Sequence, residues 1–199
     1  MKTAKKSVPR KRSAPLTVTR PELLVDGSDD QFRRLVHGLL AFLAVHSSVR
    51  DGYASWIGLS GPEYTIMLCI RHLAADGPVN IRTVADHLRL SGSFVTIETN
   101  KLEQAGLLEK GRQKADRRMV ALCLTAKGNA LLDGISNVRR QVNNVQFGDL
   151  TKEEFRALVP LVDRLIASGE RALSLLAFLR EHGQNAVLVS EGTAKDRGR

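Results

Sequence analysis

The chain has 199 residues, of which 43% are hydrophobic, and its 30 Lys or Arg against 21 Asp or Glu give a formal charge of +9. This content is sufficient for one packed domain, and no uninterrupted apolar run approaches the roughly 18 residues of a membrane-spanning helix. The basic N-terminus lacks the apolar segment of a secretory signal, so we expect a soluble, cytoplasmic protein without a membrane partner.

Most of the excess positive charge lies at the N-terminus. Residues 1–20 contain seven Lys or Arg side chains and no acidic residue, with prolines interleaved. A segment of this composition cannot bury enough apolar surface to fold. We therefore predict that residues 1–27 form a disordered basic arm. Two interpretations of the arm stay open, namely attraction to nucleic-acid phosphates and a purely solubilising terminus.

Helix-start signals divide the chain that follows. The capping-box spacing, a Ser or Thr followed three residues later by Glu or Gln, occurs at Ser28 with Gln31, Ser60 with Glu63, and Thr151 with Glu154. Helical spacing of apolar residues predicts a first helix from about residue 29 to the region of 52–56. The second helix should end before the breaker Asp-Gly-Pro at 76–78.

Two short helices come next. Asn80 is the predicted N-cap of the first, and either Ser91 or Ser93 can cap the second. The second helix should end at Gly106, a residue type favoured just after a helix C-terminus.

A charged hairpin follows these helices. Residues 107–110 and 118–124 are predicted strands on either side of the polar loop 111–117. Thr125 should then cap a helix that runs to about Phe147.

The last predicted helix begins after Thr151 and runs to about residue 182, and residues 183–199 lose apolar periodicity and are expected to fray. Together with the first helix it carries more apolar surface than a core of about 100 residues could cover. We infer a homodimer whose interface is built from the two ends of the chain.

The order helix, helix, turn, helix, strand, charged loop, strand predicts a mainly α fold, a winged helix-turn-helix with a small β-hairpin wing. Long N- and C-terminal dimerisation helices flank it. In such folds the second helix of the pair enters the major groove of DNA. The alternative, a purely structural helical hairpin, leaves the basic loop unexplained.

Four stretches in this order resemble the MarR family of bacterial winged helix-turn-helix transcription regulators. They are LSGPEYTIML at 59–68, VADHLRLS at 84–91, KLEQAGLLEK at 101–110 and DRRMVALCLTAKG at 116–128. The resemblance implies a MarR-type domain over 28–182. Within it, 59–124 would be the DNA-binding lobe, 28–58 and 125–182 the dimerisation helices, and 183–199 a C-terminal tail.

The resemblance also implies a function. Such a homodimer binds a pseudo-palindromic operator in double-stranded DNA, usually as a repressor, and is released by a small ligand. The alternative is a non-specific nucleoid-type or RNA-binding protein that uses the basic arm.

The DNA-binding residues that the resemblance implies lie on the second short helix and in the wing. Arg118 would enter the minor groove, Asp116 would brace it, and neighbouring basic side chains would contact phosphates. The full set is Ser91, Ser93, Thr96, Asn100, Lys101, Arg112, Lys114, Asp116, Arg117 and Arg118.

Two positions depart from the family pattern, which often has an Arg followed by an apolar residue after the Val-Thr pair. Here these positions are Ile97 and Glu98. Ile97 could contact a thymine methyl or indicate a rotated helix. Glu98 is unfavourable near DNA unless it accepts from a cytosine amine or pairs with Lys101.

The effector crevice of the family maps to an aromatic-lined region with Arg residues. Arg side chains match carboxylates, so an aromatic carboxylate or its CoA thioester would suit the crevice. The alternative is that these are ordinary core and rim residues. The candidates are His46, Arg50, Tyr53, Trp56, Tyr64, Met67 and Arg71.

Other chemistries find little support in the sequence. It has no Gly-rich phosphate loop, no GxSxG and no metal-binding triad, so we expect neither an enzyme, a cofactor nor a metal site. Cys69 and Cys123 lie in apolar contexts without CxxC spacing and are predicted to be buried, reduced thiols.

Overall fold

The computed structural model describes the backbone of residues 14–112 and 120–195, and the side chains of 14–111 and 120–183. The chain divides into two compact units, one up to residue 139 and one from residue 140 onward. The helices are α1 Asp30–Trp56, α2 Gly61–Leu73, α3 Ile81–Leu88, α4 Gly92–Gln104, α5 Ala126–Gly134, α6 Ser136–Gln146 and α7 Lys152–Lys195.

Two strands, β1 (Leu108–Arg112) and β2 (Val120–Leu124), complete the fold. They pair antiparallel, from Leu108 opposite Leu124 to Arg112 opposite Val120. We call this hairpin the wing. The predicted fold class, mainly α with a winged helix-turn-helix and a small hairpin, is confirmed.

Local capping chemistry fixes most helix starts. Ser60 and Glu63 form a reciprocal capping box, in which the Ser60 N–H donates to Glu63 Oε2 over 2.8 Å. Thr151 and Glu154 form another, with the Thr151 N–H 2.8 Å from Glu154 Oε2. Asn80 caps α3 as predicted. These hydrogen bonds satisfy backbone donors that have no partner within the helix.

The capping box predicted at Ser28 and Gln31 is wrong. Helix α1 begins at Asp30, so its N-cap is Asp29, whose side chain makes no cap hydrogen bond. The Ser28 hydroxyl accepts from the Asp30 N–H over 3.2 Å, not from the Gln31 N–H that a capping box requires. The Asp29 carboxylate instead accepts two hydrogen bonds from Thr17, from its N–H and its hydroxyl, each 2.6 Å long. Arg33 Nε donates to the other oxygen of the same carboxylate over 3.0 Å.

This arrangement also corrects the predicted disorder of residues 1–27. Within it, residues 14–27 are ordered: 21–23 form a short 3-10 helix, and Val25 bridges to Ser28. Arg33 holds the segment in place by donating to Pro15 O over 2.7 Å. Composition alone missed these partners because they lie on α1. Residues 1–13 of the predicted arm lie outside the described residues.

The core of the first unit forms around α2, whose Tyr64, Ile66, Met67 and Ile70 are buried. Buried side chains from α3, α4 and the wing meet them: Val84, Val95, Leu102, Leu108 and Leu122. Val95 and Leu102 therefore face inward. The helices and the wing share one apolar centre.

The helix predicted to run unbroken from Thr125 to Phe147 is wrong, because it divides at Ile135 into α5 and α6. Gly134 ends α5, and glycine is a poor former of helix interiors. Ile135 leaves the helical backbone at φ −98° and ψ 6°, and its side chain is buried.

The end predicted for the last helix is wrong in the opposite direction. Helix α7 continues to Lys195, through most of the tail 183–199 that was expected to fray. The loss of apolar periodicity after 182 removed the signal on which the prediction relied, but no proline interrupts this stretch and the backbone stays helical.

The two long terminal helices leave large apolar side chains in solvent. Helix α1 has 27 residues, yet only Tyr53 and Ala54 are buried. Exposed apolar residues on α1 include Leu35, Leu39, Leu40, Phe42 and Leu43, and those on α7 include Phe155, Leu158, Leu161, Leu165, Ile166, Leu173 and Leu176. In the part of the chain that the structure describes, no helix is long and apolar enough to cross a membrane.

Candidate nucleic-acid interface

Helix α4, the second helix of the helix-turn-helix, presents a polar face to solvent. Ser93, Thr96, Ile97, Asn100 and Gln104 are exposed at helical spacing. The face carries short hydroxyl and amide groups and one apolar side chain. Such groups can approach base edges closely and donate to or accept from them.

The N-terminus of α4 is capped by Ser91 rather than Ser93. The Phe94 N–H donates to Ser91 Oγ over 3.2 Å, and the Ser93 hydroxyl lies 3.1 Å from the same atom. The Thr96 hydroxyl donates to Gly92 O within the helix, over 2.7 Å. The Ser91 side chain therefore caps the helix, and the hydroxyls of Ser93 and Thr96 stay on its exposed side.

Glu98 does not face outward. Its side chain is buried at the inner side of α4, and Oε1 lies 2.8 Å from Lys101 Nζ. The hydrogen bond to Glu98 raises the pKa of Lys101 above its ordinary value. Of the two outcomes that would make Glu98 tolerable, the structure has the pair with Lys101. The acidic side chain is thus turned away from the exposed face.

Lys101, predicted to contact DNA, is engaged with this buried carboxylate, although about half of its side chain stays exposed. Glu98 Oε2 is buried and has no hydrogen-bond partner among the described residues. Removing Lys101 would therefore leave a buried charge with neither oxygen paired, which is costly in a low-dielectric interior.

Lys110 is a residue that sequence reasoning missed. It lies on β1, and its ammonium donates to Asn100 Oδ1 on α4 and lies 3.0 Å from Glu103 Oε2. The wing and the exposed face of α4 are thus joined by one side chain. The only signal in the sequence is a basic residue in the strand that directly follows the helix, because the pairing depends on how the two elements pack.

The last turn of α4 is held from the start of α5. The Thr125 hydroxyl donates to Gly106 O and Lys127 Nζ to Ala105 O, each over 2.8 Å. Gly128 allows this approach, because a Cβ at that position would lie 2.2 Å from Leu107 O. The orientation of α4 is therefore fixed at its C-terminus by backbone contacts that only glycine permits.

The wing-tip predictions lie outside the described part of the chain. Backbone coordinates describe Arg112 as the last residue of β1, but not its side chain. Lys114, Asp116, Arg117 and Arg118 fall in the undescribed residues 113–119. The roles assigned to these side chains stay predictions.

The predicted effector residues do not line one cavity. Tyr53, Tyr64 and Met67 are buried, and the two tyrosine rings lie 6.1 Å apart at an interplanar angle of 57°. Burial raises the pKa of both tyrosines, while the positive charge of Arg139 opposes the rise. These three residues belong to the packed centre of the unit.

The other four candidates are scattered. Arg50 lines a cavity of about 290 Å³ between the end of α1 and the start of α4. Arg71 lines a different cavity, of about 340 Å³, beside β2, and pairs with Asp133 over 2.7 Å. His46 stacks on Phe42, and Trp56 is 70% exposed.

Two buried polar atoms in this region lack a partner among the described residues. They are Arg50 Nε and the hydroxyl oxygen of Tyr64. Buried polar groups are normally hydrogen-bonded, so each is an exception that calls for an explanation. The charges of Arg139, Arg71 and Arg50 all act on the Tyr64 hydroxyl to lower its pKa.

The cysteines differ in their surroundings. Cys69 is buried, and burial raises the pKa of its thiol to about 11. The predicted burial of Cys123 is wrong, because this side chain of β2 is exposed. A thiol with a raised pKa holds little of the reactive thiolate at neutral pH. Across residues 14–111 and 120–183, no group of three or more His, Cys, Asp or Glu side chains is arranged to hold a metal ion.

Comparison with known proteins shows what the winged helix-turn-helix part of the chain is similar to. Residues 57–119 match the model described as the MarR family. The chain is 29% identical over 96 residues to an uncharacterised HTH-type transcriptional regulator, YwhA of Bacillus subtilis, covering 48% of this chain and 69% of YwhA. It is 30% identical over 111 residues to the HTH-type transcriptional regulator PecS of Dickeya dadantii, covering 53% of this chain and 66% of PecS.

Solved structures share the fold. The transcription regulator MarR from Oenococcus oeni superposes with a TM-score of 0.55 at 24% identity, covering 67% of this chain and 98% of that chain. A mutant MarR from E. coli complexed with operator DNA gives a TM-score of 0.55 at 18% identity, covering 68% of this chain and 94% of that one.

Proposed function

The chain belongs to the MarR family of winged helix-turn-helix regulators, and we propose that it is a sequence-specific repressor that binds a pseudo-palindromic operator as a homodimer. The observation that carries the proposal is the exposed face of α4, where Ser93, Thr96, Ile97 and Asn100 lie on a helix anchored at both ends. A rigidly held helix with short polar side chains suits direct readout in the major groove. The relatives named above are transcriptional regulators and not enzymes.

The homodimer rests on the terminal helices. Leu40 and Leu43 on α1 and Leu165 and Leu173 on α7 are each more than half exposed in the single chain. Contiguous apolar surface of this kind marks protein interfaces. A second copy would cover it, and the twofold symmetry of a dimer would match the twofold symmetry of a palindromic operator.

Binding to an operator is tested with the full chain. Duplexes enriched from a random-sequence pool would be measured by fluorescence anisotropy at several salt concentrations. We expect Arg118→Ala to weaken binding to the enriched duplex by about 1 to 3 kcal/mol, the usual cost of one specific contact. Arg164→Ala, which removes the same charge from α7, should leave the affinity nearly unchanged.

The same measurement separates the rival function. A non-specific nucleoid-type or RNA-binding protein would bind unrelated duplexes or RNA as tightly as the enriched duplex. Equal affinities would therefore reject the repressor, and an unchanged affinity in Arg118→Ala would reject the role of the wing.

The repressor would be released by an anionic aromatic effector, an aromatic carboxylate or its CoA thioester. Supporting this are the two buried polar atoms without partners, Arg50 Nε and the Tyr64 hydroxyl, and the positive charges of Arg71 and Arg139 that act on Tyr64. A carboxylate beside either group would supply the missing hydrogen-bond partner, and the neighbouring arginines would stabilise its charge.

The effector is tested by thermal unfolding. A ligand that binds only the folded state raises the melting temperature, so benzoate, salicylate and their CoA thioesters would be titrated against the full chain. Tyr64→Phe removes only the hydroxyl and should reduce the shift. A shift of the same size in Tyr64→Phe would exclude this site.

A further inference from the structure

One side chain of the wing determines which way an amide on α4 is turned. Lys110 Nζ donates to Asn100 Oδ1, and its position is fixed by Glu103, whose Oε2 lies 3.0 Å away. Only 18% of the Lys110 side chain is exposed, so the ammonium is held against the helix.

The chemistry of lysine settles the orientation of the amide. An ammonium has three donors and no acceptor, so the atom of Asn100 that faces it must be the carbonyl oxygen. The amide is planar, and Nδ2 therefore lies on the other branch of the group. Among the described residues no acceptor lies within hydrogen-bonding distance of Nδ2, and Asn100 is exposed. The group that Asn100 offers is a donor.

An asparagine whose Oδ1 already accepts from a lysine reads bases differently from a free one. The common pairing of asparagine with adenine uses both amide atoms, Oδ1 accepting from N6 and Nδ2 donating to N7. Lys110 takes one of the two lone pairs of Asn100 Oδ1 and turns that oxygen toward the wing, so the two-bond pairing is weakened and the Nδ2 donor is favoured. The acceptors that a lone donor can meet in the major groove are purine N7, guanine O6 and thymine O4.

Ile97 selects among these acceptors. It precedes Asn100 by three residues and so lies beside it on the same face of α4, and it is 55% exposed. Thymine is the base that carries a methyl group next to its O4 acceptor. An apolar side chain beside a donor matches that pair of groups, and guanine offers no methyl for Ile97.

We propose that Asn100 and Ile97 together read a thymine in each half-site, and that Lys110 is the positioning residue that turns the Asn100 amide for this task. The proposal rests on the proposed function, since it requires α4 to enter the major groove of a preferred sequence. It names the base that the helix prefers and a wing residue that sets the preference from outside the groove.

The test uses the full chain and duplexes enriched from a random pool. Each thymine of the enriched duplex is replaced in turn by deoxyuridine, which lacks the methyl, and by 5-methylcytosine paired with guanine, which keeps the methyl but presents an amine in place of O4. At one thymine per half-site we expect both replacements to weaken binding, deoxyuridine by a few fold and 5-methylcytosine by roughly 10-fold or more.

Variants assign each penalty to a side chain. I97A should lose the deoxyuridine penalty, and N100A should lose the 5-methylcytosine penalty. K110M should also lose the 5-methylcytosine penalty, although Lys110 itself need not touch the base. The matched control is K152M, which removes the same charge from an exposed lysine at the start of α7. K152M should keep both penalties.

The outcomes separate the inference from the function on which it rests. No enrichment of any duplex over unrelated sequences would overturn both. Enrichment with an unchanged 5-methylcytosine penalty in N100A, or with no sensitive thymine, would overturn the inference alone. A K110M protein that keeps the penalty would remove Lys110 from it. Since Ile97 and Asn100 are exposed, I97A and N100A should fold and decide the base readout even if K110M unfolds.

Discussion

The central lobe buries most of its large apolar side chains, whereas the terminal helices of this chain leave theirs exposed. Helix α2 has 13 residues and buries five of them, Tyr64, Ile66, Met67, Cys69 and Ile70. Helix α1 is twice as long and buries only Tyr53 and Ala54. The lobe completes its core with its own residues, whereas α1 and α7 carry apolar faces that the described residues leave uncovered. The lobe is therefore built as a unit, whereas each terminal helix leaves an apolar face for the proposed dimer interface.

The largest expected effect on stability comes from a substitution in the core around α2. Met67 is fully buried, and Met67→Ala should lower the free energy of unfolding by about 2 to 5 kcal/mol, the usual cost of such a cavity. Chemical denaturation would measure it. Because the cavity lies within one chain, the loss should be the same at all protein concentrations.

The matched variant on the other side is Leu40→Ala, since Leu40 is 59% exposed in the single chain. Its effect should depend on protein concentration, being small where monomers prevail and larger where dimers form. A loss in Leu40→Ala that does not vary with concentration would contradict the division between the two regions.

A second prediction concerns α7. Leu165 is 55% exposed, and Leu165→Glu would place a charge in the interface that a second copy should form. Burying an unpaired charge is costly, so we expect the dimer to weaken by roughly 100-fold, about 2.7 kcal/mol. Sedimentation velocity would measure it, with Arg164→Glu as the control for added acidic charge. An undiminished dimer would show that this face of α7 is not the interface.

The smallest expected effect concerns the segment 14–27, which hydrogen bonds hold against the start of α1. The hydrogen bond from Arg33, followed by those from Thr17, holds the pKa of the Asp29 carboxyl well below its usual range. The folded form thus binds its proton less readily than the unfolded form. The stabilisation is fully present above the ordinary Asp pKa of about 3.9 and is lost as the pH falls below it.

Amide hydrogen exchange at Thr17 would detect this loss, because its N–H donates to Asp29. We expect protection at neutral pH, and Asp29→Asn should remove much of it. Glu22→Gln is the control, since Glu22 pairs with Arg20 in full solvent. Equal Thr17 exchange in wild type and Asp29→Asn would mean that the carboxylate does not hold the segment.

Local signals made part of the molecule predictable. The caps at Ser60, Asn80 and Thr151 follow from residues three positions apart, and the structure has each of them. The capping box predicted at Ser28 is absent because α1 begins one residue later than the pattern implies, and Thr17, 12 residues earlier, binds the N-cap residue Asp29. A pattern read within one helical turn cannot include such a partner.

The candidate interface divides along the same line. Helical spacing was enough to place Ser93, Thr96 and Asn100 on one exposed face of α4. The inward turn of Glu98 and the contact of Lys110 with Asn100 depend on how α4 packs against its neighbours. The effector candidates on α1 and α2 do not line one cavity for the same reason, because the packing of the two helices decides which of their side chains turn inward.

The contacts at the end of α4 have a mechanical consequence. Three successive carbonyls, those of Ala105, Gly106 and Leu107, are hydrogen-bonded by Lys127 and Thr125 at the start of α5. At Gly128 the start of α5 lies so close to Leu107 that no side chain would fit between them. These bonds join the end of α4 to the start of α5, so we expect a displacement of α5 to move the C-terminal end of α4 with it.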